Sequence, residues 1–235
     1  MKSSKVSNRG AVVLLLLIAV VVAIVWYANH GGNNSPVREL GAAPEILNGI
    51  GMEGSGGDAL LNREKNRFTT PGSFSEASVR DIIQIPSTVL GEAGRKKREY
   101  WPPAARRYVD GEEGQGFRVT GYLIRAKESG PESCNGYSDS LRDYHIWIGD
   151  RPDDEKAQSL IVEITPRWKV IHPEWRLHTI ERLCDEHARV RVSGWLMWDE
   201  EHPDEVGKSR GSQWEIHPVT SFEVFNNGEW VSLKN

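Results

Sequence analysis

Gln213-Trp214-Glu215-Ile216-His217-Pro218-Val219-Thr220 alternates apolar and polar side chains. Trp214 and Ile216 point to one face of a strand, and Gln213, Glu215 and His217 to the other. Pro218 lacks a backbone donor, which suits a strand end, an edge or a bulge. A carboxylate and an imidazole two residues apart on one strand face form either a polar outer surface or part of a site.

Outward from this stretch, residues 221–225 prolong the strand and residues 229–233 form a short tail strand. Upstream, a long polar loop (199–212) follows residues 190–198 (VRVSGWLMW), which alternate around Gly194. Residues 173–187 (PEWRLHTIERLCDEH) are amphipathic, with Leu177, Ile180, Leu183 and Cys184 on one helical stripe. Pro173 suits the first turn and Glu174 complements the positive end of the helix dipole. Three further strands precede the helix: 117–126 (FRVTGYLIRA) with a bulge or coil point at Gly121, 143–148 (DYHIWI), and 160–165 (LIVEIT), stopped by Pro166. Three strands, a helix and two strands are the element order of an OB-fold, a five-stranded Greek-key barrel with its helix between strands three and four. The predicted fold is therefore mainly β, with an OB-fold-like domain over residues 116–235.

Residues 11–28 (AVVLLLLIAVVVAIVWYA) are an unbroken apolar run. As a helix they span about 27 Å, close to a bilayer's hydrocarbon core. Lys2, Lys5 and Arg9 precede the run without any acidic residue, which keeps the N-terminus cytoplasmic and sends the rest across. A secretory signal peptide shares these flanks, but cleavage after Ala28 would set Trp26 where a small residue is wanted. Residues 1–28 are read as a cytoplasmic end and single-pass anchor, with the folded domain extracytoplasmic and the membrane as a partner. Residues 29–115 are rich in glycine, with Gly-Gly and Gly-Ser-Gly-Gly clusters, and are predicted to be a flexible linker. Short helical islands are expected within it at 58–68 and at 74–90, the second capped by Ser75 and able to dock on the barrel.

The run Arg95-Lys96-Lys97-Arg98, with Tyr100, Trp101, Arg106, Arg107 and Tyr108 after it, either contacts polyanions or lipid headgroups or latches onto the acidic domain beside it. The chain carries 29 Lys+Arg against 33 Asp+Glu, and residues 117–235 carry 15 against 21, so phosphate neutralisation is not the domain's trade and nucleic acid is an unlikely partner. Cys134 and Cys184 either pair as a disulfide outside the cytoplasm or, for Cys184, fill space on the apolar side of the helix.

The segments Glu132-Ser133-Cys134-Asn135, Asp143-x-His145, Glu163-Ile164-Thr165-Pro166-Arg167, Gly194-Trp195, Asp199-x-x-His202 and Trp214 to Thr220 resemble an uncharacterised bacterial family with a C-terminal OB-fold-like domain. The resemblance covers about the last 120 residues. It implies a bacterial source and a recurring domain, and it carries no catalytic role onto these positions.

Barrel topology brings candidate chemistry together. With Ile146, Ile148, Leu160, Val162, Ile164, Trp214 and Ile216 inward, Asp143, His145, Glu163, Glu215 and His217 face out on adjacent strands. His145, Glu163 and His217 are a plausible set for zinc or another divalent metal, with Asp143, Glu215, Asp199 or His202 as further ligands or hydrogen-bond partners. The same residues can instead form a cross-strand polar network. Seven of the nine tryptophans follow residue 116; Trp147 and Trp195 are predicted to point outward, where they would stack on a ligand unless another segment covers them. Two functions follow. The first is a binding module for a protein, glycan or other oligomer, using His145, Trp147, Glu163 and Trp195. The alternative is a metal-dependent, phosphodiesterase-like hydrolase using His145, Glu163 and His217.

Overall fold

The computed structural model describes residues 46–86 and 97–234, together with the backbone of 37–39. The apolar run expected to anchor the chain lies outside the described residues, as do Arg95 and Lys96 of the basic run. Among the described residues no helix is long and apolar enough to cross a membrane.

Five strands close into a barrel: β4 (Gly116–Glu128), β5 (Tyr144–Gly149), β6 (Leu160–Ile164), β7 (Arg189–Trp198) and β8 (Trp214–Asn226). They pair in the order β4-β5-β6-β8-β7, and β7 returns to β4 to complete the ring. β6 and β8 run parallel and the other barrel pairs antiparallel. Counted within the barrel, this is the order 1-2-3-5-4-1, consistent with the OB-like architecture that the element order predicts. The interior holds Val119, Leu123, Ile146, Ile148, Leu160, Val162, Ile164, Val192, Leu196 and Ile216, all buried. A tail strand, β9 (Glu229–Ser232), pairs with β8.

Helix α5 (Leu177–Asp185) lies between β6 and β7 and buries Ile180, Leu183 and Cys184. It starts later than expected: Arg176 is its N-cap, and Pro173 and Glu174 precede it, with Glu174 bonded instead to His172. A short helix not anticipated from the sequence, α4 (Pro166–Ile171), uses Pro166 as its first residue and buries Arg167 and Trp168. Pro218 sits in the interior of β8, at a register shift opposite Gly194. It is the bulge among the expected alternatives.

The flexible linker expected over 29–115 does not hold for the described part of that stretch. Asp58 caps α1 (Ala59–Lys65), β1 (Val37–Glu39) pairs antiparallel with β2 (Thr69–Pro71), β3 (Ser75–Ser78) lies parallel to β4, and α2 (Val79–Ile83) follows directly. The cap of α2 is Ser78, in a capping box with Asp81, rather than Ser75, which begins the strand. Helix α3 (Pro103–Glu113) precedes β4. Leu61, Phe68, Val79, Ile82, Trp101 and Val109 are all buried. The sequence pattern misled because these apolar residues are too sparse to form a core alone; they complete one whose other half is the barrel's outer surface.

Within the basic run, Arg98 itself follows the latch reading. Its buried guanidinium makes two bonds to Glu113 at 2.5 and 2.7 Å, one to Glu200 at 2.8 Å and one to the Trp198 carbonyl at 2.9 Å. It is a latch. Removing one side of such a buried, paired charge costs about 3–5 kcal/mol.

Candidate functional site

The register sets the site. In β5–β6 pairing His145 lies opposite Glu163, and in β6–β8 pairing Val162 lies opposite Ile216, between Glu215 and His217. Alternation then puts His145, Glu163, Glu215 and His217 on the barrel's outer face, as expected. This face is not open to solvent. The β4–β5 loop, the β7–β8 loop and α1 cover it, and Asp143, Glu163, Asp199, Glu215 and His217 are all buried.

Of the three residues expected to form a metal set, Glu163 lies beside each of the two imidazoles. His145 Nδ1 is 3.1 Å from Glu163 Oε1, and His217 Nδ1 is 3.3 Å from Glu163 Oε2 and 3.1 Å from Glu215 Oε1. Asp143 joins them: its Oδ2 faces His217 Nε2 at 3.9 Å, and its Oδ1 accepts a 3.0 Å bond from Asn135. Asp199 and His202 are also present, bonded to each other at 2.7 Å.

Sequence reasoning missed two cations that make this density of carboxylates tolerable. Arg210 is wholly buried in the β7–β8 loop, pairing with Asp199 and, at 2.5 Å, with Glu215. Lys65 reaches from the end of α1 to Glu132 at 2.9 Å and Glu201 at 2.6 Å. Both come from polar stretches without periodicity, where a buried cation reads the same as a solvated one.

Titration follows from this setting. Burial would lower the His217 imidazole, but Glu163, Glu215 and Asp143 outweigh it and hold the group up at about 9. Burial, with Glu132 nearby, pushes the Asp143 carboxyl up to about 6 and burial carries Glu163 well above the carboxylate range. Burial pushes His145 down to about 4, so its ring is neutral. Asp199 goes the other way: burial alone would raise it, yet Arg210 and His202 keep it far below its usual value. Its hydrogen bond to His202 raises that imidazole to about 9.

A pocket of about 520 Å³ opens above the cluster. His145, Trp147, Glu163 and Glu215 are at its floor, the β4–β5 loop supplies one wall and the β7–β8 loop the other, and Arg125, Lys127 and Lys156 also line it. Trp147 is 3 % exposed, and its Nε1 donates to the Ser209 carbonyl at 2.6 Å. It is thus not the free stacking platform expected, because the β7–β8 loop covers it; one face meets His145 at 4.4 Å between ring centres. Trp195 is likewise buried and lies away from the pocket. Its Nε1 donates to the Thr69 carbonyl, and Arg67 sits 4.4 Å from its ring centre. Trp214 is buried as predicted, packed edge to face with the buried Trp198. Cys134 and Cys184 are both free and buried, which corrects the disulfide reading: one lies in the β4–β5 loop beside Glu132, the other on α5.

Fold and site together define a class: a closed five-stranded β-barrel carrying a buried, charge-dense cluster beneath a polar pocket between two of its loops. Comparison with known protein families, with curated proteins and with solved structures finds no match.

Proposed function

We propose that this protein is an OB-fold-like binding module, held at the outer side of a membrane by its apolar N-terminal run, whose pocket takes an anionic oligomeric ligand, an acidic glycan in the first instance. The observation that carries this reading is an imbalance of pairing. Arg210 answers Asp199 and Glu215, and Lys65 answers Glu132 and Glu201, whereas Arg125, Lys127 and Lys156 at the mouth have no carboxylate partner among the described residues. Lys127 and Lys156 are instead held 5.6 and 5.2 Å from the Trp147 ring centre. Arg125 stands opposite Trp147 and Lys127 opposite His145 in the β4–β5 register, so these cations line one edge of the same face. The loops that wall the pocket join barrel strands one to two and four to five, which are the ligand-contacting loops of OB barrels in general, an analogy of fold rather than of chemistry.

Tryptophan fluorescence of the full chain in detergent, titrated with acidic oligosaccharides, neutral oligosaccharides and single-stranded DNA, tests this. The acidic sugars should bind, and Lys127→Glu/Lys156→Glu should weaken them at least about tenfold, since each lost charge contact is worth roughly 1 kcal/mol or more. Equal binding of neutral sugars, or indifference to the double substitution, would sink the reading; preferential binding of DNA would redirect it. A second reading, hydrolysis of a phosphodiester, is favoured by the convergence of His145, Glu163 and His217, and is tested by divalent-ion-dependent turnover of bis(p-nitrophenyl) phosphate.

A further inference from the structure

Below the pocket floor, one donor atom from each of Asp143, Glu163 and His217 lies within 4.8 Å of the other two. Asp143 and His217 are at most 1 % exposed. Asp143 Oδ2 and His217 Nε2 stand 3.9 Å apart, too far for a hydrogen bond. Neither atom has a hydrogen-bond partner among the described residues, nor does Glu163 Oε2. An unanswered buried polar atom is costly, and here two of them, one basic and one acidic, face each other, with Glu163 Oε2 close by at 3.3 Å from His217 Nδ1. The side-chain cations nearby are committed elsewhere, Arg210 to Asp199 and Glu215 and Lys65 to Glu132 and Glu201.

His217 is also oriented for ligation. Its Nδ1 lies 3.1 Å from Glu215 Oε1, the arrangement by which a carboxylate fixes the tautomer of an imidazole and leaves the other nitrogen to a metal. Two carboxylates and one imidazole form a borderline donor set, better suited to zinc or manganese than to the all-oxygen preference of calcium. Glu163 belongs to the pocket lining as well, so the space is reached from the pocket floor.

We propose that Asp143, Glu163 and His217 bind one divalent cation of the zinc or manganese type through His217 Nε2, with Glu215 as the positioning residue for the imidazole. This departs from the set the sequence suggested: His145 Nδ1 lies beside Glu163 Oε1 and His145 stays outside the ligand set, and Asp143 takes its place. The assignment deepens the hydrolytic reading by naming its ion site, and it requires neither turnover nor glycan binding, so it stands or falls separately from both.

The test uses the full chain in detergent, stripped with chelator and then titrated with Zn²⁺ and Mn²⁺ by calorimetry, with retained metal counted after gel filtration. One equivalent should be retained, and the melting temperature should rise. Asp143→Asn and His217→Gln should each weaken binding at least about 100-fold and Glu215→Gln about 10-fold or more, while exposed His178→Gln should not. Failure of the unsubstituted chain to retain either ion would overturn the proposal and leave the space to water. So would undiminished binding in both ligand variants. Should the variants not fold, Co²⁺ loading of the unsubstituted chain decides. A strong near-ultraviolet thiolate band would assign the ion to the adjacent Glu132, Cys134 and Asp143 set and refute the proposal; visible d–d bands without it would support it.

Discussion

Arg210 is the residue on which the site's electrostatics turn, since its guanidinium lets Asp199 and Glu215 remain ionised out of water. Where no such partner exists, the proton does the work. Glu112, on α3, is 5 % exposed and accepts a 2.8 Å bond from the Gln115 amide. Burial outweighs that bond and raises its carboxyl to about 7. A folded-state value above the unfolded one, near 4.3, means that this group's contribution is complete below the unfolded value and is lost as pH rises through about 7. Glu112→Gln should therefore stabilise the protein by on the order of 2 kcal/mol at about pH 8 and change it little at about pH 4, by urea unfolding at both. A pH-independent gain would show that burial is not the cause.

Among the elements, the β7–β8 pair carries the barrel's sharpest local demand. Pro218 removes one ladder donor, and the two strands compensate by shifting register around Gly194. A Cβ at Gly194 would lie 2.3 Å from the Pro218 carbonyl oxygen and 2.6 Å from Ile216 Cγ2. Backbone cannot yield as a side-chain tip does, so Gly194→Ala should cost about 2–3 kcal/mol. Gly111, within α3, offers the opposite case: a Cβ there meets nothing within 4 Å. Gly111→Ala should stabilise by roughly 0.5–1 kcal/mol. Denaturant midpoints of the two variants check both signs.

For the molecule as a whole, the barrel is not self-sufficient. β3 extends its sheet, Arg98 latches the preceding segment to Glu113, Glu200 and Trp198, and residues 67–69 cover Trp195. A fragment of residues 116–235 would expose these surfaces and strip Glu200 of its cation. It should lack a cooperative transition in circular dichroism, whereas residues 46–235 should keep one. A sharp transition for the shorter fragment at the longer one's midpoint would show that the added segment is merely attached.

The five barrel strands and the helix between the third and fourth were legible from alternation and a 3.6-residue stripe, because each element's burial is written into its own residues. So was the shared outer face that sets His145 and His217 each beside Glu163, once strand order was fixed. Tertiary structure alone decided that Asp143 rather than His145 faces His217 Nε2, that Arg210 and Lys65 are buried, that Trp147 and Trp195 are covered, and that residues 46–86 and 97–115 belong to the folded unit. Those outcomes depend on contacts between residues far apart in the chain, and a lone charge or a sparse apolar residue looks the same in sequence whether or not its distant partner is there.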